Sequence, residues 1–307
     1  MINRTIIRLK IVQLIYAYYQ NGGRRLEAVE KELMYSLSKA YDLYNYLLCL
    51  LVDYTRYVEE VITEQEEINR VAHIDIAISH RLIDNKFVAV LRENEMLQNF
   101  RNNQHLSWID DRNYLRHLYD KIMSSEYLAD YEALVETTFD DDREFWRKVY
   151  KNIIMKDDEI DAILEDMSLY WNDDKEIVDT FVLKTIKRFN ADSTSEQPLM
   201  PQFRDDDDIM FAKRLLSRTI ENAQYYQSLI SKSTRNWEFN RIAFMDLVIM
   251  QVALAEMLSF PEIPVSVTIN EYLEIAKYYS TPKSFLYING VLDNIAKKLH
   301  DEGKMMK

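Results

Sequence analysis

The chain has 307 residues, a formal net charge of −13, four glycines, five prolines and a single cysteine. That length suffices for one large domain or two ordinary ones with a real core. One thiol excludes a disulfide framework and a cysteine-built metal site. The acidic balance argues against a generic nucleic-acid binder, because polyphosphates attract basic surfaces.

Glycine and proline lie far below average usage, and the first proline is Pro198. The long stretch before it, rich in Leu, Ile, Glu, Lys and Tyr, reads as helix after helix, so the chain is assigned to the all-α class. A first helix is expected over 5–20, with Ile7, Ile11, Leu14 and Tyr18 as its apolar stripe and Asn21-Gly22-Gly23 as its end. A long amphipathic helix follows over 26–65. Further helices fill 70–138, with a break near "RNNQHLSW" at 101–108. Cys49 reads as a buried helical thiol.

Residues 190–208, "NADSTSEQPLMPQFRDDDD", form the one clear linker, and helices resume from 209 to 298. A shift of 66 residues lays Phe145 on Phe211, Ile154 on Ile220, Ile163 on Leu229 and Trp171 on Trp237. This is either a structural repeat or the product of helical period alone. The expected organisation is 1–50 as the start of a first bundle, 51–205 as an additional helical segment with a partial duplication, and 206–307 as a C-terminal bundle.

The most apolar run, "MDLVIMQVALAEMLSF" at 245–260, is interrupted by Asp246, Gln251 and Glu256 and falls short of the roughly 20 residues that span a bilayer. With no signal peptide at the N-terminus, a cytoplasmic protein without membrane contact is expected. Charge is unevenly spread: +5 over residues 1–25, −21 over 26–274 and +3 from 275 onward. If the two basic ends meet, they make a positive face on an acidic body.

Enzyme chemistry finds little support. The five histidines (73, 80, 105, 117 and 300) never pair at i, i+4, and the glycines cannot form a phosphate loop. The acidic runs 140–142 and 205–208 read as helix starts. Neither catalysis nor a metal or cofactor is expected.

The informative region is 237–299, in which Trp237, Asp246, Pro261, Ile263, Pro264, Val267, Ile269, Asn270, Glu271, Glu274, Ala276, Lys277 and "YINGVLD" (287–293) keep a fixed spacing. This pattern resembles the NusB family of transcription antitermination factors. The first helix, through Arg8, Val12, Gln13 and Tyr16, is similar to that family's opening helix. The resemblance covers about 1–25 and 209–299, so much of 50–205 is extra to it.

The resemblance implies two small helical bundles, no enzyme activity, and binding of the boxA element of ribosomal RNA transcripts with a small-subunit ribosomal protein (NusE), in an antitermination complex with RNA polymerase. It assigns Arg4, Arg8, Lys10, Gln13, Tyr16, Lys277, Tyr279, Lys283, Ser284, Tyr287 and Asn289 to RNA, and Asp246 and Tyr225 to the ribosomal protein. Two other readings remain: a helical protein–protein scaffold with little RNA affinity, and the RNA-binding module of a ribosomal RNA methyltransferase, which the absence of a glycine-rich cofactor domain disfavours.

The last helix carries its own puzzle. Thr281 and Pro282 read as N-cap and first helical residue, and Phe285, Ile288, Leu292, Ile295 and Leu299 form the core stripe. Gly290 lies about 170° from that stripe on a wheel of 100° per residue, beside Lys283, Leu286 and Asn294. A bare backbone there admits either a ligand or another helix.

Overall fold

The computed structural model describes residues 1–23, 25–234 and 242–305. Arg24 and Lys307 of the basic ends, and Trp237 of the family pattern and the repeat, lie outside the described residues. Among those residues the secondary structure is helical apart from one isolated bridge, Ile2 with Phe203. Fourteen α-helices follow in chain order: α1 (Arg4–Gln20), α2 (Leu26–Val71), α3 (Lys86–Arg92), α4 (Glu95–Gln104), α5 (Arg112–Met123), α6 (Glu126–Glu132), α7 (Phe139–Asn152), α8 (Asp158–Met167), α9 (Lys175–Arg188), α10 (Asp206–Glu221), α11 (Ala223–Ser233), α12 (Phe244–Ser259), α13 (Val265–Tyr279) and α14 (Ser284–Asp301). None of these helices is long and apolar enough to cross a membrane.

The chain divides into two compact units, Met1 with Lys39–Gln202 and Ile2–Ser38 with Phe203–Lys307. The cut at 38/39 falls inside α2, which gives residues 26–38 to the terminal unit and 39–71 to the middle one. Charge separates along the same cut. The middle unit has 19 basic and 34 acidic residues, a net −15, which leaves +2 for the terminal unit.

In the terminal unit α12 is the hub, packing against α1, α10, α11, α13 and α14. Its residues from Val248 to Met257 are buried without interruption, as a helix apolar on every side requires. The middle unit is built on aromatic rings. Tyr46 stacks on Trp108 at 4.4 Å and on Trp171 at 5.7 Å, while Tyr131 stacks on Phe145 at 4.4 Å. The indole nitrogens of Trp108 and Trp171 donate to the carbonyls of Tyr46 (2.9 Å) and Lys39 (2.8 Å), so each large ring is buried with its polar atom satisfied.

Local capping sets most boundaries. Asn3, Asn85, Asn94, Ser125 and Thr138 each accept a backbone N–H from the first turn of the helix they precede. The break read near 101–108 is real: His105 ends α4 in the left-handed region, φ 53°. Both acidic runs sit in first helical turns, 140–142 in α7 and 206–208 in α10, where carboxylates oppose the positive end of the helix dipole. Helix α2 runs six residues beyond the expected 65, its last turns supported by a Gln65–Asn69 side-chain bond of 3.0 Å.

Candidate nucleic-acid interface

The terminal unit carries a buried ionic knot on the inner side of α1. The Arg8 guanidinium donates to both carboxylate oxygens of Glu256, from Nε and Nη2 at 2.8 Å each, and from Nη1 to Glu271 at 3.1 Å. Glu256 is wholly buried and also accepts from Thr268 (2.9 Å) and Tyr272 (3.1 Å); Thr5 donates to Glu271 at 3.0 Å. Burial opposes the charge on Arg8 most strongly, but the bond and charge of Glu256, helped by Tyr272 and Glu271, outweigh it and raise the pKa of Arg8. Burial, and next the Glu256 charge, push the Tyr272 phenol well above its ordinary value. This fourfold-accepting carboxylate ties α1, α12 and α13 together.

The knot changes the reading of the N-terminal basic residues. Arg8 is 4 % exposed and Lys10 3 %, so neither side chain offers its charge to a polyanion. Arg4 is partly exposed but lies against Asp208 (3.6 Å) and over the Phe211 ring (4.8 Å). The expected i, i+4 pair of phosphate contacts, Arg4 with Arg8, is therefore not formed: a cation beside a buried carboxylate neutralises it rather than waiting for a ligand. The positive face expected where the two ends meet loses Arg8 and Lys10, two of its five N-terminal cations, to burial.

At the other end of α1 several residues do converge. The Gln13 side-chain amide donates to the Tyr279 hydroxyl at 3.1 Å, joining α1 to the end of α13. The Tyr16 ring lies 5.3 Å from that of Phe244, the first residue of α12. The Lys277 ammonium pairs with Glu274 (2.5 Å) and sits over the Phe285 ring of α14 at 5.9 Å. Lys283 and Asn289 are exposed and Tyr287 is half-buried.

Asp246 holds the turn before α14. Buried to 4 % exposure, it accepts from the hydroxyls of Ser280 and Ser284, the latter at 2.7 Å. Because Ser284 donates to Asp246, the 2.7 Å contact between the Thr281 and Ser284 hydroxyls has Thr281 as donor. This corrects the expected helix start. The Thr281 hydroxyl is committed to Ser284 instead of capping an amide, residues 282–283 form a turn, and α14 begins at Ser284 with Lys283 projecting at its N-terminus.

Gly290 faces open space. A Cβ built there would meet no described atom within 4 Å, and its wheel neighbours Lys283, Leu286 and Asn294 are all exposed. No second helix packs against the glycine among the described residues. Tyr225 stands apart from this face. It lines a cleft with Ile295, Lys298 and Glu302, near the C-terminal end of α14, which lies roughly 15–25 Å along the helix from Ser284 at 1.5 Å per residue.

The NusB family model matches residues 176–297. The transcription antitermination protein NusB of Salinibacter ruber is 37 % identical over 132 residues, which cover 41 % of this chain and 82 % of that protein. The chain belongs to the NusB family. The NusB proteins of Geotalea daltonii and Natranaerobius thermophilus are each 36 % identical, over 90 % and 85 % of their lengths. No solved structure matches. The family match begins in α9, within the middle unit, and ends in α14; α1 lies outside it.

Glu256 escaped the reading of the sequence. It was visible as an acid interrupting an apolar run, and a carboxylate there must find a cation and several donors. What hid the pairing is distance along the chain: Arg8 and Glu256 are 248 residues apart.

Proposed function

We propose that this chain acts in transcription antitermination, holding boxA-type RNA of ribosomal RNA transcripts together with a small-subunit ribosomal protein (NusE) in the RNA polymerase antitermination complex. The observation that carries the reading is the open N-terminal end of α14. Lys283 projects there, Asn289 is exposed, and Gly290 leaves the helix backbone bare. Tyr279 precedes that end and Tyr287 lies just inside it, while Tyr16 packs on Phe244 of α12; the rings of all three suit stacking on unpaired bases. Gln13 and Lys277 complete the RNA face.

Within this proposal the remaining residues take different parts. Asp246 and Ser284 shape the turn that presents Lys283, so Asp246 acts on the partner surface through geometry rather than direct contact. Tyr225, exposed at the far end of α14, is assigned to a protein partner. Arg4 sits at the rim, while Arg8 and Lys10 belong to the fold. The test is a pair of variants, Lys283→Glu and Tyr287→Ala, measured against boxA RNA with the ribosomal protein present. Loss of affinity with an unchanged melting temperature supports the proposal; parental affinity in both overturns this face.

A further inference from the structure

The middle unit carries a net −15, yet one of its clefts is lined by three arginines. Arg56 comes from α2, Arg92 from the end of α3 and Arg101 from α4, with Gln98, Asn102 and His105 on the same wall. The cleft has a volume of about 460 Å³, within the usual range for a small-molecule site. Val52 and Leu97 add apolar surface to it.

The arginines are unequally satisfied. Arg101 Nη2 is 2.6 Å from the buried carboxylate of Asp53, whose other oxygen accepts from the Ser107 hydroxyl (3.1 Å) and the Trp108 amide (3.0 Å). Arg92 Nη1 is 3.6 Å from Glu59. Arg56 makes no hydrogen bond and no ion pair among the described residues. Two further donors, Nε of Arg92 and Nη1 of Arg101, are buried and have no acceptor there. Burial, then the charge of Arg101, lowers the pKa of Arg56; Arg92 adds to the repulsion, while Asp53 and Glu59 act against it.

Three guanidinium groups therefore line one cleft with only two carboxylates paired to them from outside its lining, leaving a positive surplus and unused donors in an otherwise acidic unit. Asp53 balances Arg101, but the charges of Arg101 and Arg92 repel that of Arg56, and an anion in the cleft would relieve that repulsion. A phosphate group suits it, because guanidinium forks match phosphate oxygens in pairs and the side-chain amides add neutral donors. We infer that this cleft binds a phosphate group, free or carried by a small molecule, with Arg56 as its principal contact. A polyanion is disfavoured, since the surrounding unit repels it. Its lining residues all belong to the middle unit, whereas the residues of the proposed RNA face belong to the terminal unit.

The experiment is calorimetric titration of the full chain with inorganic phosphate and with adenosine 5′-monophosphate, against sodium chloride at matched ionic strength. A saturable one-to-one isotherm is expected for at least one of the two, and their relative affinities tell a free-phosphate site from an organic-phosphate one. Arg56→Gln is expected to weaken it about tenfold to a hundredfold, the size of a lost charge-assisted bond, with an unchanged melting temperature in the absence of ligand. Three results overturn the inference: no binding beyond the chloride control, parental affinity in Arg56→Gln, or displacement of the nucleotide by a short RNA without terminal phosphates. None of them bears on the binding of boxA RNA.

Discussion

Replacement of Arg8 by alanine removes both guanidinium bonds to Glu256 and the one to Glu271, leaving a wholly buried carboxylate with only the Thr268 and Tyr272 hydroxyls as donors. Stranding one partner of a buried pair costs about 3–5 kcal/mol. At about 2–4 °C per kcal/mol for a protein part of this size, the melting temperature of the terminal unit falls by roughly 6–20 °C. Differential scanning calorimetry reads the shift. A second substitution, Glu256→Gln, removes the stranded charge and recovers part of the loss, so the two effects are strongly non-additive. Arg4→Ala, which breaks a partly exposed contact with Asp208, costs no more than about 1 kcal/mol. If Arg8→Ala melts within 2 °C of the parent and instead flattens the salt dependence of RNA binding, Arg8 is a phosphate contact and the buried knot is wrong.

Three further outcomes follow from the same physics. Gly290→Ala stabilises the protein by about 1 kcal/mol, because the added methyl meets nothing within 4 Å, whereas Gly290→Trp leaves melting intact and weakens boxA binding; a lowered melting temperature in either variant would reveal a neighbour. Burial, the largest influence on Cys49, pushes its thiol up to about 12, so a disulfide reagent at pH 8 labels nothing in the native protein and one thiol after denaturation. Thr138→Ala costs about 1 kcal/mol at neutral pH by opening the capping box of α7. Bonds from the Thr138 side chain and backbone lower the pKa of Asp141, so that stabilisation is present above the ordinary carboxylate value and fades as pH falls through the lowered one. Chemical denaturation at neutral and acidic pH should show the Thr138→Ala deficit shrinking in acid.

Helical period, glycine and capping residues were enough to read the all-α class, the limits of α1 and the interrupted stretch near His105. The core stripe of α14 was equally plain, and Ile288, Leu292, Ile295 and Leu299 are all buried. Fixed spacing in 237–299 carried the family. Less was legible wherever a polar side chain had two competing uses. Thr281 had the look of an N-cap, but Asp246 draws Ser280 and Ser284 into a different network and delays the helix. Arg8 had the look of a phosphate contact, because periodicity marks which positions are buried and cannot say that a distant Glu256 makes a buried cation favourable. Gly290 is the reverse case. Its wheel position left ligand and helix open; no described atom stands where a packed helix would, and the ligand remains the proposal.

The most direct test of the account is the affinity of the full chain for a boxA RNA and for a scrambled RNA of equal length, each with the small-subunit ribosomal protein present and absent. Fluorescence anisotropy at fixed salt is the measurement, since salt sets the electrostatic background of both affinities. The account predicts a clear preference for boxA that strengthens when the ribosomal protein is added. Equal affinity for the two RNAs with the ribosomal protein present would contradict it.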